Sequence, residues 1–206
     1  LREAGGEAVV LVGERLTEHP LAADVALTVA QKYRARLALV PRRAGDRGAL
    51  RAGIHPSLLP GGRRASDPAE RAEVEASWGG VPAEAGRSSQ EILEACARRE
   101  VDVLYLVGVD PLRDVPNADL IRRALRNTRH VVVQSLELGS LEAFADAFLP
   151  AAAWAERDGN VTDWEGRSQP IHPVRAPAGV SRPDWQIFAG LAAAMGRPLG
   201  FGSLEA

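Results

Sequence analysis

The sequence predicts an open α/β sheet, mostly parallel and Rossmann-like in the broad sense, flanked by helices and broken by a long irregular insertion. Three observations lead there. Short apolar runs alternate with segments of helical spacing, in the order strand, helix, strand. The run VDVLYLVG (101–108) is almost continuously apolar, as in strands covered on both faces. The one long stretch without a period, residues 42–87, is dominated by Gly, Pro, Arg and Ala.

The elements follow in chain order. EAVVLVGERL (7–16) reads as a strand ending in glycine. LAADVALTVAQKYRA (21–35) has helical spacing, with Leu21, Val25 and Val29 on one face and Leu27 at its edge. ARLALVPRR (35–43) is the next strand. Such a β-α-β pattern implies parallel strands and a right-handed crossover. Within 42–87 the spacing predicts one helix, 67–78, with Asp67 as cap, Pro68 in the first turn and Glu70 three residues after the cap. Ser88 and Glu91 have capping-box spacing, and Ile92, Leu93 and Cys96 then share a helical face. After 101–108 come a helix over 117–127 with the stripe Leu120, Ile121, Ala124 and Leu125, and the strand HVVVQS (130–135). A short helix and a short strand, AFLP, are expected within 139–152. The final helix, 182–196, has Pro183 in its first turn and Gly196 at its end, with Trp185, Phe188 and Ala192 on one face. The expected organisation is a sheet domain of 1–41 and 88–150, an insertion at 42–87, and a C-terminal loop and helix, 151–206, on the same domain.

Composition narrows the function classes. A formal net charge of −2 gives no global field favouring nucleic acid or an anionic membrane. Six arginines (Arg42, Arg43, Arg47, Arg51, Arg63 and Arg64) are interleaved with no aromatic residue, and acidic residues follow at once, so a solvated or partner-facing loop suits them better than base stacking. The single cysteine excludes an internal disulfide and any multi-cysteine cluster within this chain. Cys96 lies on an apolar helical face, where a thiol is ordinarily inert. His19, His55, His130 and His172 lack ligand spacing. There is no GxGxxG, and no Walker lysine follows GERLTE (13–18). No stretch approaches the roughly 20 apolar residues of a membrane span. The chain opens at Leu1 in sequence that already reads as the inside of a fold, and it is expected to be part of a longer polypeptide.

Two segments carry the candidate chemistry. VGVDPLRDVPN (107–117) follows the strongest strand, and ligands of open α/β sheets bind beyond the carboxyl ends of strands. Gly108 admits a close approach to the backbone, and Asp110 can accept from a ribose or purine. A tight β-to-α turn also asks for Gly, Asp and Pro. DGNVTDWEGRSQP (158–170) gathers Asp158, Asp163, Glu165 and Arg167 around two glycines and a tryptophan, without any period. With Glu156 these carboxylates suit an acid/base pair, or a turn braced by salt links to Arg157 and Arg167.

The motif order resembles the C-terminal half of the molybdopterin oxidoreductase superfamily, above all its respiratory complex I branch, the large G subunits of NADH-quinone oxidoreductase. The resemblance rests on Gly108 and Pro111; on Ala145, Asp146, Leu149 and Pro150; on Glu156, Gly159, Thr162, Glu165, Gly166, Arg167 and Gln169; and on Arg182, Pro183, Asp184 and Trp185. It covers 101–196 well, and 7–41 fit as the preceding β-α-β. Asp110 and Asp163 stand where the family has Asn, Gln134 and Leu136 depart after the second strand, and the metal-ligating residue and cluster cysteines have no counterpart. The resemblance implies a structural and assembly role in a redox complex, with no catalytic residue, metal or cofactor in this part. Iron-sulfur clusters would lie in an upstream half of the same subunit, and the partners would be that half and other peripheral-arm subunits on the cytoplasmic side of a bacterial inner membrane. Gly108, Asp110, Gly159, Thr162, Glu165, Gly166 and Arg167 would be relics of a pterin groove. The alternative is a working molybdopterin-dinucleotide site at these residues. A relic loop implies that Glu165 and Arg167 act as braces, each expected to contribute on the order of 1–3 kcal/mol.

Overall fold

The computed structural model describes residues 3, 5–13, 15–16 and 21–202; the start at Leu1, Glu14 and His19 lie outside the described residues. The chain is a mixed α/β protein with parallel sheets. It divides into two compact units, one of residues 1–83 with 160–169 and the other of 84–159 with 170–206. The sequence grouping of 1–41 with 88–150 differs from this division. Apolar runs mark strands but do not say which strands share hydrogen bonds, and among the described residues β1 (Val9–Gly13) pairs only with β2 (Arg36–Val40).

In the first unit β1 and β2 run parallel, with Val10 beside Leu37 and Val12 beside Leu39. The connecting helix α1 (Ala22–Lys32) starts after Leu21, whose φ of 64° stops the helix from extending backwards. Its most covered positions are Ala22, Ala26, Val29 and Ala30, so of the stripe expected from spacing Val29 is covered while Leu21 and Val25 are not. Small side chains let the helix approach closely, and Leu21 and Val25 are left 72% and 60% exposed. The tract after Arg42 holds one more helix than its pattern suggests, α2 (Asp46–Ala52). Its seven residues span two turns and contain a glycine, so no stripe can be read from them. Gly53 ends it at φ 93°, where a Cβ would come within 2.1 Å of the Leu59 carbonyl oxygen. The two-residue strands β3 (Leu58–Leu59) and β4 (Arg63–Arg64) pair antiparallel, and α3 (Pro68–Trp78) follows. Asp67 caps α3 as expected, accepting from the N–H groups of Ala69 and Glu70 at 2.9 and 3.3 Å. Glu70 does not close the box; its carboxylate turns to Arg64 instead. Leu59, Ala65 and Val74 form a small core under these elements.

The second unit is built on a three-stranded parallel sheet, β5 (Val103–Val107), β6 (His130–Ser135) and β7 (Ala147–Pro150), in that order. Before it lies α4 (Ser89–Ala97), with the complete Ser88–Glu91 capping box. A short helix α5 (Pro111–Asp114) and then α6 (Ala118–Asn127) cross from β5 to β6. The expected stripe of α6 is fully used: Leu120, Ile121, Ala124 and Leu125 are all buried, beside Leu93, Cys96, Leu104, Val131 and Val133. The paired strands β8 (Gly159–Thr162) and β9 (Ser168–Ile171) form a hairpin whose tip, 160–169, belongs to the first unit. Helix α7 (Asp184–Ala194) closes the described chain. Its buried residue is Ile187, whereas Phe188 is 40% exposed and meets Tyr105 edge-on at 6.3 Å. The helix is apolar on nearly every side, so spacing could not select a face. No helix among the described residues is long and apolar enough to cross a membrane.

Candidate functional site

The hairpin tip takes its shape from one carboxylate. Asp163 Oδ1 accepts the Arg167 backbone N–H at 2.8 Å, and its Oδ2 accepts from Arg167 Nε at 3.0 Å. The main chain closes the same turn, with Asp163 N–H donating to the Arg167 carbonyl at 2.9 Å and Gly166 N–H to the Asp163 carbonyl at 3.0 Å. Gly166 sits at φ 94°, in the left-handed region that a side chain would strain. The Arg167 N–H, then its guanidinium, hold the Asp163 carboxyl below the usual carboxylate range. The bracing expected of Glu165 therefore falls to Asp163. Glu165 meets only the outer edge of Arg167, and the two side chains are 52% and 71% exposed. Water screens such a pair, so the Glu165–Arg167 link is expected to contribute less than about 1–3 kcal/mol.

The tip is gripped from outside by α2. Arg47 Nη1 donates to the Trp164 carbonyl at 2.5 Å, and Arg51 Nη1 donates to the Gly166 carbonyl at 3.2 Å. Arg47 and Arg51 are four residues apart and so lie on one helical face. A cavity of about 420 Å³ lies on one side of Trp164, lined by Pro41, Arg42, Arg43, Val161, Asp163 and Gln169. A second, of about 580 Å³, shares Pro41 and Trp164 and is walled by Leu39, Leu50 and Ile54. Both lie beyond the carboxyl end of β2, the expected side for a ligand of a parallel sheet.

Gly108 and Asp110 belong to the second unit. Gly108, at φ 63°, turns the chain out of β5, and its N–H donates to the Gln134 carbonyl at 2.8 Å. Asp110 is a helix cap: Oδ1 accepts from Leu112 N–H at 3.0 Å and Oδ2 from the Ser140 hydroxyl. Both oxygens are therefore engaged within the chain, beside an open hollow of about 500 Å³ that Arg113, Ser135 and Glu137 also line. Gly159 starts β8 with open extended backbone near Ile171. Thus Thr162, Glu165, Gly166 and Arg167 share the hairpin tip, Gly108 and Asp110 share a turn of the other unit, and Gly159 stands where the tip begins.

Sequence reasoning missed a buried polar chain in the second unit. Gln134 is fully buried; its Oε1 accepts from the Tyr105 hydroxyl and its Nε2 donates to Asp184 Oδ1 at 2.7 Å. Asp184 Oδ2 pairs with Arg157. Burial, with the Asp184 charge behind it, pushes the Tyr105 phenol pKa up. Glu156 is also buried. The Ala153 N–H, at 3.0 Å, and then Arg175 hold its carboxyl below the ordinary range. A glutamine inside an apolar strand was the available signal, because a buried amide must find partners. Trp185 Nε1 donates to Asp158 Oδ1 at 3.2 Å, tying the R-P-D-W motif to the base of the hairpin.

This geometry, with the motif order, defines a class of protein. The family model for molybdopterin oxidoreductases matches residues 7–194, and the chain belongs to that family. Within it, the chain is 40% identical over 204 residues to the G subunit of NADH-quinone oxidoreductase from Streptomyces coelicolor, covering 96% of this chain and 24% of that protein. It is 40% identical over 205 residues to the G subunit from Mycobacterium bovis, covering 97% and 25%. It is also 34% identical over 159 residues to a nitrate reductase of Synechocystis, covering 75% and 22%. The chain thus spans about a quarter of the length of these curated relatives.

The family name raises the question of a pterin cofactor. Of the seven groove candidates, only Arg167 carries a positive charge, and it is paired with both Asp163 and Glu165. The tip, with two carboxylates against one guanidinium, has a net charge of −1. A dinucleotide brings two phosphates, so this set of residues does not fit it. No group of three His, Cys, Asp or Glu side chains converges among the described residues.

Proposed function

We propose that this chain is the structural and assembly part of a G subunit of NADH-quinone oxidoreductase, and that it is not itself catalytic. The observation that carries this reading is 40% identity to such subunits along nearly the whole chain. The internally paired tip supports it, since its charged groups serve the turn instead of a ligand. In this reading the complete subunit passes electrons from NADH toward quinone through iron-sulfur clusters outside these residues, within a proton-translocating complex. This part packs on the cluster-bearing region and on other peripheral-arm subunits, on the cytoplasmic side of a bacterial inner membrane. The seven named residues are then remnants of a cofactor groove.

A second reading, a working molybdopterin-dinucleotide-binding part of a molybdenum oxidoreductase, is favoured by one observation. The 420 Å³ cavity beside Trp164 is lined by Arg42 and Arg43, cations placed beyond the carboxyl end of a parallel strand. Metal and pterin analysis of the native full-length protein separates the two. Iron without molybdenum or pterin is the expected result. Pterin and molybdenum in about equal amount to protein would overturn the first reading and establish the second. The isolated chain is expected to have no visible chromophore and no NADH oxidation.

A further inference from the structure

The hairpin tip has two separate sets of supports. Asp163, Arg167 and the closing main-chain bonds lie entirely within 160–169, and they fix the shape of the turn. None of them fixes where the turn sits. The contacts that do come from α2, more than a hundred residues earlier in the chain, and both partners lie within the first unit. Arg47 and Arg51 donate to two carbonyls of the tip, those of Trp164 and Gly166. Two glycines bring the surfaces together. A Cβ on Gly48 would lie 2.8 Å from Thr162 Oγ1 and 3.1 Å from Thr162 Cβ, and one on Gly166 would lie 3.2 Å from Arg47 Cζ. Rotating the threonine side chain moves its hydroxyl but not its Cβ, so a methyl at Gly48 requires Thr162 to give by a few tenths of an ångström, and a larger side chain by more.

We infer that Arg47 and Arg51 are positioning residues: with Gly48 they form a clasp that sets the place, though not the shape, of the 160–169 tip. The consequence reaches Trp164, the wall shared by the two cavities at the end of β2. With the clasp closed, Trp164 divides the space beside Pro41 in two. When it opens, the intact turn moves and the partition moves with it. The clasp uses carbonyl acceptors, so it is indifferent to protonation of the tip carboxylates, and acid that loosens the Asp163–Arg167 turn leaves its donors unchanged. The clasp operates in the same way in a relic and in a working groove.

The test measures position directly. Ala52, on α2, and Ser168, in the tip, are both exposed, and the only native cysteine, Cys96, is fully buried. Spin labels at Ala52→Cys and Ser168→Cys in the full chain report the distance between the two elements. The parent should give one narrow distribution, and Arg47→Ala/Arg51→Ala should widen it by roughly twofold or more, since each bond lost removes a modest but real restraint. Arg47→Lys/Arg51→Lys, which keeps a single donor at each position, should restore much of the narrowing. Gly48→Leu keeps both arginines and drives a larger side chain against Thr162, so it should shift or broaden the distribution and serves if the double alanine variant fails to fold. Arg167→Ala should leave the distribution close to the parent. An unchanged distribution in folded Arg47→Ala/Arg51→Ala or in folded Gly48→Leu overturns the clasp. So does a distribution that widens with Arg167→Ala as much as with the arginine pair.

Discussion

β1-α1-β2 and β5-α6-β6 follow the same strand-helix-strand pattern and end in opposite conditions. In the second, the sheet has a third strand, α6 buries its whole stripe, and Ile121, Val131 and Val133 are almost completely shielded. In the first, only two strands make up the sheet among the described residues, and Leu11 is 66% exposed although its strand is as apolar as β5. Parallel strands are ordinarily covered on both faces. The difference shows that an apolar strand pattern records what a sheet needs, while the number of paired strands and covering helices decides whether it is met.

The largest expected effect breaks the comparison at its core. Ile121→Ala should lower the stability of the second unit by about 3 kcal/mol, the range for truncating a buried aliphatic side chain. Leu11→Ala should change stability by no more than about 0.5 kcal/mol. Urea titrations of both variants check the pair, and equal losses would mean that β1 is covered in solution.

A smaller loss is expected at Gln134. Gln134→Leu keeps the volume but removes the partner of both Tyr105 and Asp184, and should cost about 1–3 kcal/mol. A cost near zero would show that the buried chain is not needed once apolar packing is kept.

The two units also differ in what acid undoes. Glu156 in the second unit and Asp163 in the first both have folded-state pKa values below their unfolded values. Their contributions are therefore complete above the ordinary carboxylate range and lost as pH falls through the depressed values. Thermal melts between neutral pH and about pH 3 should show a falling midpoint. Glu156→Gln should flatten the part of that slope belonging to the second unit, and a slope unchanged by it would remove Glu156 from the account. Smallest of all is Arg167→Ala, whose guanidinium is mostly in water; its melting temperature should stay within about 2 °C of the parent. A larger drop would restore the brace first expected of that residue.

Much of this was legible in the residues. Ser88–Glu91 and Asp67 announced their helix starts because a cap is a local arrangement of a side chain and two or three N–H groups. The α6 stripe was legible because polar residues alternate sharply with it around the helix. α1 and α7 were harder, since alanine and larger apolar residues surround them and only neighbours choose the buried face. The same limit hid Asp163: Asp163, Glu165 and Arg167 were visible together, but spacing cannot say which carboxylate meets the backbone.

By itself, then, the sequence determined the α/β class, the main strands and helices between Ser88 and Pro150, the burial of Cys96 and the family. Each of these rests on period, capping or motif order, which act within a few residues of one another. The paired strands β8 and β9 were not determined in this way, since they lie in a stretch that the sequence showed as a loop without period. Tertiary structure alone decided that β1 and β2 form a sheet of their own, that Gln134 joins Tyr105 to Asp184, and that Arg47 and Arg51 hold a turn more than a hundred residues away. Those choices depend on which distant groups the folded chain brings within hydrogen-bonding reach, and no local pattern carries that distance.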